Sequence, residues 1–145
     1  MRIETTKSFV EACLALPMLQ TLDEFYPKMS DWYINTVIPG LVTGSDVLML
    51  AKDGNHTVGI ALGKRSANER KLRCVRVIPD LQNSGVGLRL IERMFDELET
   101  DKPHCTVAEE MLNLYSRAFV NRYGFQLSSV DKGRYRPRKL EYAFN

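Results

Sequence analysis

The chain has 145 residues, 44% apolar and 9% aromatic, with 20 Lys and Arg against 18 Asp and Glu. One compact domain of about 100–200 residues is expected, intrinsic disorder is excluded, and a net charge of +2 leaves only local basic patches to argue for nucleic acid. No apolar run reaches the roughly 18 residues of a membrane span and the start MRIETTKSF is not a secretory signal, which predicts a soluble cytoplasmic protein; Cys13, Cys74 and Cys105 have no spacing for disulfides or zinc.

The elements follow in chain order as one domain over 1–145. Arg2 to Thr6 reads as a strand. Ser8 and Glu11 form a capping box before a helix from Phe9 to about Leu16, which Pro17 interrupts. A second helical stretch, Met18 to Phe25, ends at Tyr26-Pro27, and Ser30 caps a short helix from Asp31 to Ile38 that Pro39-Gly40 stops. VLMLAK and TVGIALGK flank the turn Asp53-Gly54-Asn55 as a β-hairpin, and LRCVRVI supplies a third strand ending at Pro79. From Gly85 to Leu98, Val86, Leu90, Met94 and Leu98 recur at spacing four, with Ile91 and Phe95 beside them, which marks an amphipathic helix. Pro103 to Ala108 reads as a strand, Met111 to Tyr123 as a helix ended by Gly124, and Phe125–Val130 and Tyr135–Phe144 as strands. The order β-α-α-β-β-β-α-β-α-β-β predicts an α/β (α+β) fold. Its mixed, mostly antiparallel sheet of six to seven strands is flanked by helices, and the crossover from Leu72 to Ala108 is parallel.

The segment from Val75 to Gly87 joins a strand, a glycine-bearing loop and a helix start. Unpaired N–H groups and the positive end of the helix dipole suit such a start to a phosphate, and glycines admit an anion close to them. The spacing Gln-x-x-Gly-x-Gly is neither the dinucleotide fingerprint nor the lysine-bearing nucleotide loop. On the bare pattern a plain strand-to-helix turn is an equal alternative.

The run V-x-V-x-P-x-x-Q-x-x-G-x-G-x-x-L, carried by Val75, Val77, Pro79, Gln82, Gly85, Gly87 and Leu90, resembles the acyl-CoA motif of the GCN5-related N-acetyltransferase (GNAT) family. Asn113, Phe119, Arg122, Gly124 and Phe125 resemble that family's second motif, and the element order matches. The resemblance implies acetyl-CoA as co-substrate, with no metal, in a cleft between the splayed strands ending at Ile78 and beginning at Pro103. Backbone groups of Gln82, Asn83, Ser84, Gly85, Val86 and Gly87 would hold the pyrophosphate, and those of Val75 and Val77 the pantetheine arm. The Val77 N–H would face the developing oxyanion. Asn113 would bind pantetheine from the other side, Ser116 shares that helix face, and Arg122, like Arg89 and Arg93, is available to the adenosine phosphates.

One position departs from the family pattern. Where many members carry a tyrosine that protonates the thiolate, this chain has Val120. On a regular helix Tyr123 lies about 60° from Val120 and Tyr115 about 140°, so Tyr123 is the nearer substitute. Glu109 and Glu110, where strand meets helix, are the first candidates for the base, although acids at a helix start also serve as ordinary caps.

In this fold the acceptor side is shaped by the first helices and the last two strands. Tyr26, Trp32 and Tyr33 on one side and Tyr135 on the other can wall an amine pocket whose ring faces attract a cation, and Asp31 can pair with it, although Trp32 and Tyr33 equally read as anchors of a short helix to the core. The tract Arg134 to Lys139 reads as a solvated turn more readily than as an RNA contact. Three functions follow. The first is N-acetylation of a primary amine of a small molecule or protein by direct attack in a ternary complex. The second is a CoA-binding regulatory or sensor module, with Val120 as the mark of lost chemistry. The least favoured is acetylation of aminoacyl-tRNA. Edge strands and the C-terminal segment are where a homodimer would form.

Overall fold

The computed structural model describes residues 1–145. Strands β1 (Arg2–Thr6), β2 (Asp46–Asp53), β3 (His56–Arg65) and β4 (Arg70–Val77) form one antiparallel sheet in that order. β5 (Cys105–Ala108), β6 (Leu127–Lys132) and β7 (Leu140–Phe144) form a second, ordered β5-β7-β6. A single parallel bridge, Lys71 with His104, joins them. The expected mixed sheet is therefore two sheets hinged at one point, and β4 and β5 part beyond it.

The parting has a local cause. Leu62 faces Cys74 while Gly63 faces Leu72, so Arg73 is an extra residue in β4. Such a bulge bends its strand and reverses the phase of its backbone groups. Below it, the Leu72 N–H reaches the His104 carbonyl and the His104 N–H reaches the Arg70 carbonyl, both at 2.9 Å. Above it, the Ile78 N–H bonds to the Val58 carbonyl at 3.0 Å. By the alternation of an antiparallel ladder, Val75 and Val77 then aim their N–H and C=O groups at the empty side, where β5 has left.

Helices cover both faces of the first sheet, so β2 and β3 are nearly continuously apolar. Met49, Ala51, Val58 and Ala61 pack with α5 (Val86–Leu98), whose Leu90, Met94 and Leu98 are fully buried. Each such side chain contributes about 1.5–3 kcal/mol by leaving water. Gly63 permits the close approach, since a Cβ there would lie 2.6 Å from Met94 Sδ. At the other end, Arg65 and Arg70 donate to the Glu97 and Leu98 carbonyls at 2.9 and 3.0 Å, closing the C-terminus of α5.

Leu48, Leu50, Ile60 and Leu62 point the opposite way, toward α1 (Phe9–Leu14), α2 (Leu16–Gln20), α3 (Met29–Trp32) and α4 (Ile38–Thr43). The prolines act differently here from the sequence expectation. Pro17 sits in the first turn of α2, where a missing N–H costs nothing, and Pro39 lies inside a continuous helical run just after a π-helical turn, so neither stops its helix. A π-helical turn, Tyr33–Val37, links α3 to α4, and the helical run ends at Thr43, before Gly44 at φ 85°. α2 stops at Gln20 instead of Phe25, and Lys28 rather than Ser30 precedes α3. Ser8 Oγ accepts the Glu11 N–H at 3.2 Å, whereas the Glu11 carboxylate turns to Thr6 and Lys52, so only half of the capping box forms.

The expected helix from Met111 is a composite of a 3-10 turn (Glu109–Met111), α6 (Leu112–Ser116) and a π-helical turn (Arg117–Arg122). The last strand begins at Leu140, which leaves Tyr135 and its basic neighbours in the turn before β7. No helix is long and apolar enough to cross a membrane.

Candidate active site

The loop after β4 is built to leave its amides free. Pro79–Leu81 makes one 3-10 turn, Asn83 sits at φ 64° and Gly85 at φ 92°, and α5 begins at Val86. No backbone or side-chain acceptor takes the N–H groups of Asn83, Gly85, Val86 or Gly87. Open space surrounds Gly85, with nothing within 4 Å of where its Cβ would be. Its φ is one that L side chains reach only at a cost of about 1–2 kcal/mol. Gln82 turns inward and its Nε2 donates to the Val77 carbonyl at 3.2 Å, fixing the loop to the strand.

Between the splayed ends of β4 and β5 lies a cleft lined by Cys74, Val75, Thr106, Ala108, Tyr115 and Phe119, among others, and about 60 Å³ of it is free. That holds a few waters. Tyr115 crosses from one wall to the other: its ring stacks on Phe119 at 5.6 Å and its hydroxyl donates to the Val75 carbonyl at 3.1 Å. Burial pushes this phenol up to about 12, so it is protonated at neutral pH. Cys74 and Cys105 are likewise pushed up to about 12 by burial, which makes them inert thiols.

The helical-wheel ranking of the two tyrosines is reversed. Tyr123 donates to Glu92 Oε1 on α5 at 3.0 Å and packs edge-on to Phe95 at 5.1 Å, while Tyr115 enters the cleft. A π-helical turn shifts the phase that a regular helix assumes. Arg122 follows Tyr123, lying 3.5 Å from Glu92 on the outer face. Asn113 is exposed, the Ser116 hydroxyl bonds to the Asn113 carbonyl at 3.3 Å, and Val120 is 40% exposed.

Both candidate bases are engaged elsewhere. Arg136 grips Glu110 with two bonds of 2.6 Å and holds its carboxyl down at about 2, where it is a poor proton acceptor. Glu109 Oε1 accepts the Leu140 N–H at 2.9 Å and anchors β7. The acid that sequence reasoning missed is Glu141, one of two buried carboxylates. It stands opposite Ala108 in the β5–β7 ladder and accepts a 2.9 Å bond from the Tyr26 hydroxyl. Burial raises its pKa, partly offset by the Tyr26 and Thr106 hydroxyls.

A second cavity, about 580 Å³, adjoins the cleft and shares Tyr26, Arg73 and Thr106 with it. Tyr26, Trp32 and Tyr135 all line it, with Tyr26 edge-on to Tyr135 at 5.3 Å, whereas Tyr33 is buried in the core and donates to the Ala12 carbonyl at 2.7 Å. The expectation that these rings await a cation meets an obstacle. Arg73 already lies 5.4 Å from the Trp32 ring centre and Arg134 lies 5.5 Å from that of Tyr135.

Sequence and structure comparisons agree on one family. A model described as Acetyltransferase (GNAT) family matches residues 13–125. None of the curated proteins compared by sequence matches this chain. Among solved structures, a GNAT-family protein from Desulfovibrio desulfuricans superposes with TM-score 0.77 at 18% identity, over 99% of this chain and 96% of its own. The ribosomal-protein-S18-alanine N-acetyltransferase of Escherichia coli gives 0.75 at 17%, over 99% and 92%. An aminoglycoside 6′-N-acetyltransferase complexed with coenzyme A gives 0.70 at 12%, over 99% and 95%. At these identities the likeness is one of fold.

Proposed function

The chain belongs to the acetyltransferase (GNAT) family, and from that premise we propose that it transfers the acetyl group of acetyl-CoA to a primary amine by direct attack in a ternary complex. The observation that carries the reading is the succession of three features along one stretch of chain: the cleft beside Val75, the side of β4 at Val75 and Val77 that no neighbouring strand pairs, and the free amides of Asn83, Gly85, Val86 and Gly87. A phosphate at the loop would meet four N–H donors and the positive end of α5. Acetyl-CoA, when bound, supplies the activated acyl group. The Val75 and Val77 edge is suited to pair with an extended amide-bearing arm as an added strand would.

The chain's own residues then have distinct tasks. The Val77 N–H faces the cleft and can stabilise charge on a carbonyl oxygen brought there. Tyr115 holds a proton at its hydroxyl on the Val75 carbonyl, and leaving that carbonyl both frees it for the arm and places the phenol beside a departing thiolate. Glu141 lines neither cavity, and as proton acceptor for the incoming ammonium it would act through Tyr26, which lines both and donates to it. Cys74 and Cys105, both protonated, offer no nucleophile for an acyl-enzyme, which favours direct attack.

The sensor alternative rests on Val120 and on the closed state of the cleft. Thiol release from acetyl-CoA over a panel of amines decides between them. Turnover supports the transferase; saturable acetyl-CoA binding with no turnover on any acceptor supports the sensor.

A further inference from the structure

Of the charged side chains lining the large cavity, Lys28, Lys71, Arg73 and Arg134 are basic and Asp31 is the one acid. The carboxylates that accompany these cations lie outside it. Asp46 approaches Arg73 at 3.5 Å, Glu69 approaches Lys71 at 3.5 Å, and Asp131 approaches Arg134 at 3.4 Å, and none of the three lines the cavity. Glu69 is also shared with Lys64 at 3.0 Å. Lys28 has no carboxylate within ion-pair distance. The buried Arg73 Nη1 and Asp46 Oδ1 atoms face each other at 3.5 Å without a hydrogen bond, so Asp46 offsets only one edge of this guanidinium.

A histidine inside the cavity reports the same field. His104 has its pKa lowered by burial and then by Lys71 and Arg134, with Glu69 opposing. Two of the three rings that would welcome an ammonium, Trp32 and Tyr135, already have Arg73 and Arg134 against them. What remains toward the cavity is a set of cationic donors, and guanidinium groups match planar oxyanions in both charge and shape.

We infer that the acceptor is a small amine that also carries an anionic group, a carboxylate or a phosphate, held by Arg73, Lys71 and Arg134 while its amine points toward Tyr26 and Glu141. The inference rests on the acetyltransferase reading for its chemistry but not for its electrostatics. The cavity, about 580 Å³, is of small-molecule size. Its charge disfavours polycations such as polyamines and aminoglycosides, since each added positive charge meets like charge in a partly desolvated site.

Trp32, the sole tryptophan, stands in the wall and gives a direct readout that does not depend on turnover. Its fluorescence is titrated with β-alanine, 4-aminobutyrate and O-phosphoethanolamine, and with the counterparts that lack the anion, ethylamine, propylamine and ethanolamine; spermidine represents the polycations. Acetyl-CoA turnover is measured with the same panel. At least one anion-bearing amine is expected to perturb Trp32 saturably at millimolar concentration, about tenfold or more ahead of its counterpart without the anion. Whether the carboxylates or the phosphate respond tells which anion is held. The double variant Lys71→Gln/Arg134→Gln, at positions where little is buried, is expected to erase that preference while keeping the Tm. Arg73→Lys is expected to weaken it in part.

Three outcomes overturn the inference: stronger response or turnover with spermidine, no response to any anionic member, or an unchanged preference in the double variant. Failure of acetyl-CoA to bind in calorimetry would instead remove the transferase reading and leave the Trp32 result standing.

Discussion

Replacing Gly85 separates the charge of the loop from its shape. The residue sits at φ 92° with open space where a side chain would go, so substitution meets backbone strain but no clash. Gly85→Asn and Gly85→Asp are nearly the same size and share that strain, about 1–2 kcal/mol, or roughly 3–8 °C of Tm in a domain of this length. They differ in one negative charge. A carboxylate about 4 Å from a pyrophosphate oxygen, at an effective dielectric near 20, is repelled by about 4 kcal/mol, which is roughly a thousandfold in affinity. Calorimetry with CoA should show Gly85→Asn binding within about tenfold of the parent chain and Gly85→Asp binding too weak to measure. The gap should narrow as salt rises. Equal affinity of the two variants would refute the placement of a phosphate at the Asn83–Gly87 amides.

Other predictions concern the proton-handling residues. Tyr115→Phe should lower kcat at least tenfold without weakening CoA binding, because the hydroxyl lost is one that occupies the Val75 carbonyl in the free protein; an unchanged kcat would remove Tyr115 from the reaction. For Glu141, burial raises the folded pKa, so the folded state binds the proton more tightly than the unfolded one and stability falls as pH rises through that pKa. Glu141→Gln should therefore be at least as stable as the parent at neutral pH, lose that advantage in acid, and lack the acidic limb of kcat/KM. Glu110→Gln should leave the pH profile of kcat/KM unaltered, since Arg136 already holds Glu110 ionised across the working range; a lost limb there would make Glu110 the base. Ser8→Ala removes the cap on the Glu11 N–H and should cost about 1 kcal/mol in urea unfolding, with no effect on turnover.

Much of the architecture was legible because it rests on short-range patterns. The spacing of Val86, Leu90, Met94 and Leu98 located α5 to within one residue, and Asp53-Gly54-Asn55 located the β2–β3 hairpin. The prolines misled because a proline in the first turn of a helix, as Pro17 is, or just after a wider π-helical turn, as Pro39 is, does not stop it. The Arg73 bulge that parts the two sheets has no local signature, since β4 reads as an ordinary alternating strand.

At the candidate site, the loop from Gln82 to Gly87 announced itself through its glycines, but the groups proposed to handle protons did not. Tyr115 was ranked behind Tyr123 because the wheel assumed 3.6 residues per turn across a stretch that becomes π-helical. Glu141 sits between Leu140 and Tyr142, where alternation suggests a solvent-facing position; Tyr26, 115 residues away, covers that face and turns it into a buried acid. The same long-range folding brings Lys71, Arg73 and Arg134 around one cavity, so a chain of modest net charge encloses a basic site.

A crystal structure with acetyl-CoA tests the central claim most directly. The account predicts the pyrophosphate on the amides of Asn83, Gly85, Val86 and Gly87, the pantetheine arm along Val75 and Val77 between β4 and β5, and the Tyr115 hydroxyl moved off the Val75 carbonyl. A cleft still closed by Tyr115, with acetyl-CoA bound elsewhere or not at all, would contradict it.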